Sequence, residues 1–154
     1  MLAVKRSGRG TRPERRKQSG VGLIEVLVAV VVLSIGMLGL AGLQLRNLRN
    51  NESALERGMA VVETHSVVDA MRADRTNAIN NQFNIALDDP APTGTTFADV
   101  AVAAWRGNLT AVLGPDATGA VACNGSACTI TVRWNDSRGS AGSNALSIQT
   151  QVQL

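Results

Sequence analysis

Residues 26–43 form a run of 18 residues without a charged side chain, and this run constrains the fold more than any other part of the chain. Eleven of these residues are Val, Leu or Ile, and Ser34 is the only polar one. At about 1.5 Å per residue, a helix of this length spans roughly 27 Å, close to the thickness of a bilayer core. The sequence therefore predicts an N-terminal transmembrane helix, with its membrane segment at about residues 23–45.

A single acid, Glu25, stands directly before this run. Glu25 does not prevent insertion, because eleven aliphatic residues at about −0.3 to −0.6 kcal/mol each outweigh a carboxylate that costs at most about 3 kcal/mol. A carboxylate beside a membrane-length helix is nevertheless costly, so such a residue is by default a candidate functional site. The alternative is an incidental polar residue near the lipid headgroups.

The charge of the chain is unevenly distributed. Residues 1–20 hold seven basic side chains and one acid, a net charge of +6, whereas the remainder holds eight Arg, no Lys and eleven acids, a net charge of −3. A basic arm can bind nucleic-acid phosphates. Its position beside the apolar run favours instead a cytoplasmic flank that orients the helix by the positive-inside rule. No nucleic-acid partner is expected for the rest of the chain.

Three explanations of residues 1–43 compete. The segment is a secretory signal peptide cleaved at the small residues of the 39–41 triplet, a plain anchor, or an anchor whose leader is clipped at Gly20. The length of the apolar run disfavours the first, because the apolar region of a signal peptide has about 7–15 residues. Beyond the membrane the chain would lie in an oxidising compartment, where Cys123 and Cys128 are more readily a disulfide than a metal-binding pair.

The chain from Leu23 to about Ile79 is predicted to form one helix. Proline is absent between Pro13 and Pro90, and apolar residues continue at helical spacing beyond the membrane run. One face of the outer half should therefore pack on a globular head. Glycines at positions 36, 39 and 42 leave two explanations open: close packing in the membrane, or a helix that loosens on leaving lipid.

The C-terminal part of the chain predicts a small head. A second helix is expected from Ala98 to Leu113, where an apolar stripe includes Trp105. Period-two alternation over three short segments then predicts an antiparallel sheet, and Asn124-Gly125 marks the turn of its first hairpin. A Cys123–Cys128 bridge would close that hairpin. The predicted strands are residues 119–123, 128–134 and 146–152. The fold class is therefore α+β, with a long N-terminal transmembrane and amphipathic helix packed on a small globular head.

The sequence lacks the usual signatures of an enzyme. His65 is the only histidine, and no Ser/His/Asp set, metal-spaced cluster or phosphate-binding glycine loop appears. Tyrosine is absent and other aromatic residues are few, which disfavours a stacking surface for sugars or bases. We therefore expect no catalytic residues, no cofactor and no metal ion.

The segment from Ser19 to Ala29 resembles the processing site of type IV prepilins and pseudopilins. In that family a membrane-embedded aspartyl peptidase cuts after the glycine and N-methylates the new terminus. The resemblance implies that Gly20 and Val21 are the processing residues. It also implies that Glu25, the fifth residue of the mature chain, serves assembly. The first mature residue here is Val21 instead of the usual Phe, and the second is Gly22 instead of Thr.

Three later stretches resemble PilV-type minor pilins. They are residues 35–44, residues 69–74 and a C-terminal pattern that includes Trp105, both cysteines and residues 132–136. The resemblance implies a pilin-like fold divided into a cleaved basic leader (1–20), a long helix (21–79) and a head that completes the pilin domain (80–154). It further implies localisation in the inner membrane, with the N-terminus cytoplasmic and the head periplasmic, and later in the pilus, at its tip.

The function implied by the resemblance is that of a minor pilin that primes or caps assembly of the type IV pilus, and so supports twitching motility. Its partners would be other minor and major pilins, the prepilin peptidase, the inner-membrane assembly platform and a large tip adhesin, with membrane lipid before assembly. The alternatives are a minor pseudopilin of a type II secretion system, a component of a DNA-uptake pseudopilus, and a secreted binding domain behind a signal peptide.

Overall fold

The computed structural model describes residues 20–139 and 142–154, which divide into two compact units at residues 40 and 41. The basic leader, apart from Gly20, lies outside the described residues. The described chain combines helices with one small sheet, which confirms the predicted α+β class. Its elements are α1 (Leu23–Ala73), α2 (Arg75–Ile79), α3 (Phe97–Leu113), β1 (Thr118–Asn124), β2 (Ala127–Trp134) and β3 (Leu146–Gln153).

Helix α1 extends over 51 residues, as expected from an interval without proline, but it ends six residues before the predicted end at Ile79. Asp74 breaks the helix with φ −124° and ψ 58°, outside the helical region. The Asp74 carboxylate accepts a hydrogen bond from the Asn77 side chain at 2.8 Å. Short polar side chains of this kind compete with helical hydrogen bonding, which is why the chain turns here and resumes as α2.

The unit formed by residues 41–154 has one apolar core. The buried part of α1 contributes Val67, Val68 and Met71, and α3 contributes the predicted stripe, including Trp105 and Leu109. The largest fully buried side chain is that of Trp134 at the end of β2. Both tryptophans thus lie in the core, and for Trp105 this agrees with its place in the predicted apolar stripe.

Helix α3 begins with a capping box. The Thr96 hydroxyl accepts a hydrogen bond from the backbone N–H of Asp99, and the Asp99 carboxylate accepts one from the backbone N–H of Thr96. Gly114 ends the helix with a positive φ of 100°, a conformation that glycine adopts without steric cost. These signals place α3 within one residue of its predicted start and at its predicted end.

The sheet has the order β1-β2-β3, and both neighbouring pairs are antiparallel. The first hairpin turn is shifted by one residue from the prediction, because Asn124 still pairs with Ala127 and the two loop residues are Gly125 and Ser126. Gly125 has a φ of 63°, whereas the φ of Ser126 is not positive. A glycine at the first loop position with an ordinary second residue is typical of a type II′ turn.

A salt-bridge cluster joins α1 to the segment after β2. Arg138 lies 3.6 Å from the Glu52 carboxylate and 3.5 Å from that of Glu56. The other oxygen of Glu56 accepts a hydrogen bond from the Trp134 indole at 3.2 Å. Two acids one helical turn apart repel each other, and a shared cation from another part of the chain offsets that repulsion.

Candidate functional site

The candidate processing residues lie where α1 begins. Residues 20–22 precede the helix, and the carbonyl oxygen of Gly22 accepts hydrogen bonds from the backbone N–H groups of Glu25 (2.9 Å) and Val26 (3.3 Å). These bonds start the helix at Leu23. The peptide bond between Gly20 and Val21 therefore lies in exposed, non-helical backbone, where an enzyme can bind it in extended form.

Among the residues that the structure describes, none accounts by packing for glycine at position 20. A Cβ atom added to Gly20 would meet no heavy atom of residues 20–139 or 142–154 within 4 Å. By contrast, Gly114 and Gly125 both have positive φ. Packing within the described part of the chain thus leaves the identity of residue 20 free.

Glu25 lies in the first turn of α1 and is exposed. An acid in the first turn interacts favourably with the helix dipole and the unpaired N–H groups of the helix start. Glu25 shares a shallow apolar groove with Val21 and Leu33, which brings its carboxylate to the same face as the residue that would form a new N-terminus. The groove is completed by Val26, Ala29 and Val30.

The N-terminal part of α1, up to residue 40, has apolar side chains around the whole circumference of the helix. Each described residue from 20 to 40 is exposed, and Leu23 is 92 % exposed. The helix contains an 18-residue window with a mean hydropathy of 2.7, none of it buried, so by length and composition it can cross a membrane. A signal sequence near an N-terminus passes the same test. Because none of the window is buried, this segment differs from the core helix of a soluble domain, which is mostly buried.

The predicted disulfide belongs to the other unit. Cys123 and Cys128 are joined at an S–S distance of 2.08 Å and are paired residues of the β1–β2 hairpin. The side-chain amide of Asn84 lies beside them, where it accepts from the backbone N–H of Cys123 (2.8 Å) and donates to its carbonyl oxygen (3.1 Å). The disulfide and this amide together fix the end of the hairpin.

A second polar side chain of structural importance, Arg106, was not singled out from the sequence. It is only 6 % exposed and donates hydrogen bonds to the backbone carbonyl oxygens of Ala86, Asp89 and Gly119. Burial lowers the pKa of Arg106, and the nearby Asp89 charge partly opposes that shift. The sequence feature that could have identified Arg106 is a charged residue inside the apolar sequence of α3, one position after Trp105.

The described residues contain no group of three or more His, Cys, Asp or Glu side chains placed to hold a metal ion. His65 is exposed on α1. The sites that the sequence singled out are therefore two separate features, the exposed start of α1 and the disulfide-closed hairpin.

The comparisons with known proteins bear on the first of these features. A sequence model described as the prokaryotic N-terminal methylation motif matches residues 15–41. The chain carries a type IV pilin-like leader. The match spans Gly20, Val21 and Glu25 and covers less than a fifth of the chain. Neither the curated proteins nor the solved structures contain a significant match to this chain.

The motif supports a place in the type IV pilin and pseudopilin family, whose members are structural and interact with other pilins and a peptidase. Together with the apolar helix it fits a membrane-anchored pilin. Of the three stretches on which the PilV-type resemblance rests, residues 35–44 lie mostly inside the match, whereas residues 69–74 and the C-terminal pattern lie outside it.

Proposed function

We propose that this chain is a minor pilin, which enters the inner membrane through α1 and primes or caps a type IV pilus after its leader is removed. The observation that carries the proposal is the methylation motif over residues 15–41, with Glu25 in the first turn of an exposed apolar helix. The α+β head and the hairpin disulfide are compatible with a periplasmic location.

The proposed cut lies between Gly20 and Val21. No described residue packs against position 20. This supports a requirement set by the peptidase, since a residue without a side chain allows close backbone approach. N-methylation of Val21 would then leave a cationic amino group at the start of the mature chain.

Glu25 is proposed to dock each subunit during assembly. A carboxylate at the edge of lipid gains most from a cationic partner, and the new amino group at Val21 supplies one on the same chain or on a neighbour. Val21 and Glu25 line one groove, so a neighbouring helix that enters this groove contacts both. Pairing relieves the desolvation of both charges and sets the axial step between adjacent subunits.

The experiment that tests this role is Glu25→Ala, with Ser34→Ala as the matched control. Ser34 is the other polar residue of the segment, and its hydroxyl is bonded within the helix to the carbonyl oxygen of Val30 at 2.7 Å. We expect Glu25→Ala to leave leader cleavage intact and to reduce the number of assembled pili, whereas Ser34→Ala leaves both unchanged. Normal pilus numbers in the Glu25→Ala strain would rule out the docking role.

The same motif supports a minor pseudopilin of a type II secretion system equally well. A deletion strain distinguishes the two, because loss of twitching motility with normal protein export supports the pilus, and the reverse result supports the secretion system. If the chain belongs to a DNA-uptake pseudopilus, the deletion strain would instead have a defect in transformation.

A further inference from the structure

The two edges of the sheet differ in their hydrogen bonding, although they belong to the same three strands. The flanking pair of a two-residue hairpin loop, here Asn124 and Ala127, is a hydrogen-bonded pair, and every second pair after it repeats the pattern. The backbone groups of residues 119, 121 and 123 therefore point away from β2, toward the outer edge of β1.

Other parts of the chain bond the outer edge of β1 at each of its outward positions, 119, 121 and 123. Arg106 donates two hydrogen bonds to the carbonyl oxygen of Gly119, at 3.0 and 2.7 Å. Ile85 and Val121 exchange a pair of backbone bonds at 2.9 and 3.0 Å. The Asn84 amide bonds both backbone groups of Cys123. No outward-pointing position between residues 119 and 123 is left for another strand.

The opposite edge, that of β3, has no such cover. The register of β2 with β3 directs the backbone groups of residues 146, 148, 150 and 152 toward β2. The groups of residues 147, 149, 151 and 153 consequently point outward. Within residues 20–139 and 142–154, no hydrogen bond to these outward backbone groups is recorded, and all four side chains are exposed.

Strand β3 also lacks the features that usually prevent strand addition. Proteins protect open edges with charged side chains, proline or a bulge. The eight residues of β3 include no charge and no proline, and the register with β2 runs without a skipped residue. Their pattern alternates a half-buried row against the core (Leu146, Ile148, Thr150, Val152) with an exposed row of Ser147 and three glutamines.

We propose that the free edge of β3 is an acceptor site for one extended strand supplied by a different polypeptide. Main-chain bonds to residues 147, 149, 151 and 153 would provide affinity, as in other complexes formed by strand addition. The guest segment would be uncharged and alternating. Its apolar side chains would extend the half-buried row of Ile148 and Val152, and its polar side chains would lie beside the glutamines.

The closed edge of β1 is the reason for assigning the guest to another polypeptide. Copies of this chain related by translation or by a screw axis could continue the sheet only if β3 of one copy met a free β1 edge, and that edge is occupied. Two copies could still pair β3 with β3 about a two-fold axis, but this gives the strands of the two heads opposite directions. Subunits of one fibre point the same way, so this last step rests on the proposed function.

The test uses the full chain in detergent micelles and a fluorescent peptide with the sequence of residues 146–154. In antiparallel register centred on Thr150, this peptide places Val against Ile148 and glutamine against Gln149, which satisfies the rule for the guest. One version is N-methylated at the positions equivalent to Gln149 and Gln151, which face the protein. The matched version is N-methylated at the positions equivalent to Ile148 and Thr150, which face solvent and block only self-association of the peptide.

We expect the solvent-methylated peptide to raise the fluorescence anisotropy saturably, and the protein-facing version to bind at least about tenfold more weakly, because it lacks two N–H donors. In the protein, Gln149→Pro should weaken binding by a similar factor. Gln149→Ala, which removes the same side chain and keeps the N–H, should change it less than about threefold. The melting temperature of both variants serves as the folding control.

Three results would overturn the proposal. Equal binding of the two methylated peptides would show that edge hydrogen bonds do not hold the guest. Absence of binding by the solvent-methylated peptide would remove the acceptor site. The third result is a concentration-dependent dimer of the full chain. If Gln149→Pro abolished this dimer and Gln149→Ala retained it, the edge of β3 would be assigned to a second copy of the chain. None of these measurements depends on leader cleavage or on pilus assembly, so a failure here is distinct from a failure of the proposed function.

Discussion

The two compact units of this chain differ in the burial of their apolar side chains. From residue 20 to 40 every described side chain is exposed, and the apolar ones have no partner to cover them within the unit. From residue 41 to 154 apolar side chains are removed from water in one core that contains Trp134 and Leu109 at 0 % exposure. The second unit also keeps some large apolar side chains exposed, among them Leu55 and Phe97, but only the first unit lacks a buried core. A soluble protein rarely leaves a large apolar surface uncovered, which fits burial of the first unit in lipid or against another protein.

The largest contrast between the units is expected from truncating one apolar side chain in each. Trp134→Ala should lower the free energy of unfolding by about 3–5 kcal/mol, because it removes a fully buried side chain and leaves a cavity. Leu33→Ala should change it by less than about 0.5 kcal/mol, since Leu33 is exposed. Denaturant unfolding in detergent, followed by the fluorescence of Trp105, measures both. Comparable losses in the two variants would contradict the division into a packed and an unpacked unit.

A smaller loss is expected from Arg106→Met in the packed unit. The substitution preserves much of the side-chain volume but leaves three backbone carbonyl oxygens without their donor, at a cost of roughly 2–4 kcal/mol. Arg133→Met is the control, because Arg133 pairs with Asp88 in an exposed salt bridge worth at most about 1 kcal/mol. Unfolding curves of the two variants should therefore be clearly separated, and coincident curves would contradict the role of Arg106.

The effect of Arg106→Met should not depend on pH near neutrality. Burial lowers the pKa of Arg106, with a partial opposing effect from Asp89, so folding carries a penalty as long as the unfolded arginine is protonated. That penalty is relieved only as the pH rises far above neutrality, toward the ordinary pKa of arginine. The loss measured at about pH 6 should equal the loss at about pH 8.

Removal of the disulfide is expected to destabilise the packed unit less than Trp134→Ala or Arg106→Met. Replacing Cys123 and Cys128 together by Ser should lower the free energy of unfolding by about 2 kcal/mol, because the bond closes a loop of only a few residues. The Asn84 amide still holds the backbone of Cys123, so the hairpin register should be kept. Amide hydrogen exchange at Ala122, whose backbone N–H faces Thr129 of β2, reports on this, and loss of protection there would show that the disulfide alone sets the register.

The sequence predicts the helices and strands well where local signals agree. The capping box at Thr96 and Asp99, the alternation of β2 and the glycines at positions 114 and 125 fix α3 and the first hairpin to within a residue. The break at Asp74 was missed because an aspartate inside an apolar periodicity is common on the exposed face of a helix. Its backbone conformation decides whether the helix continues.

The polar contacts that hold the head together could not be predicted in the same way. Arg106 bonds residues 86, 89 and 119, and Asn84 bonds residue 123, so these contacts join positions far apart in the chain. Periodicity reports which face of an element is buried, but not which loop lies against it. The candidate processing site, in contrast, is a contiguous motif, and Gly20, Val21 and Glu25 could be chosen from the sequence alone.

The most direct test of the central claim is the mass of the N-terminal peptide of the chain isolated from membranes. Cleavage after Gly20 and N-methylation predict a mature chain that begins with N-methylated Val21 and retains Glu25 and the whole apolar helix. A chain that begins after Ala41 would contradict this, because the apolar helix would then be a discarded signal sequence and the unit from residue 41 onward would be a secreted domain.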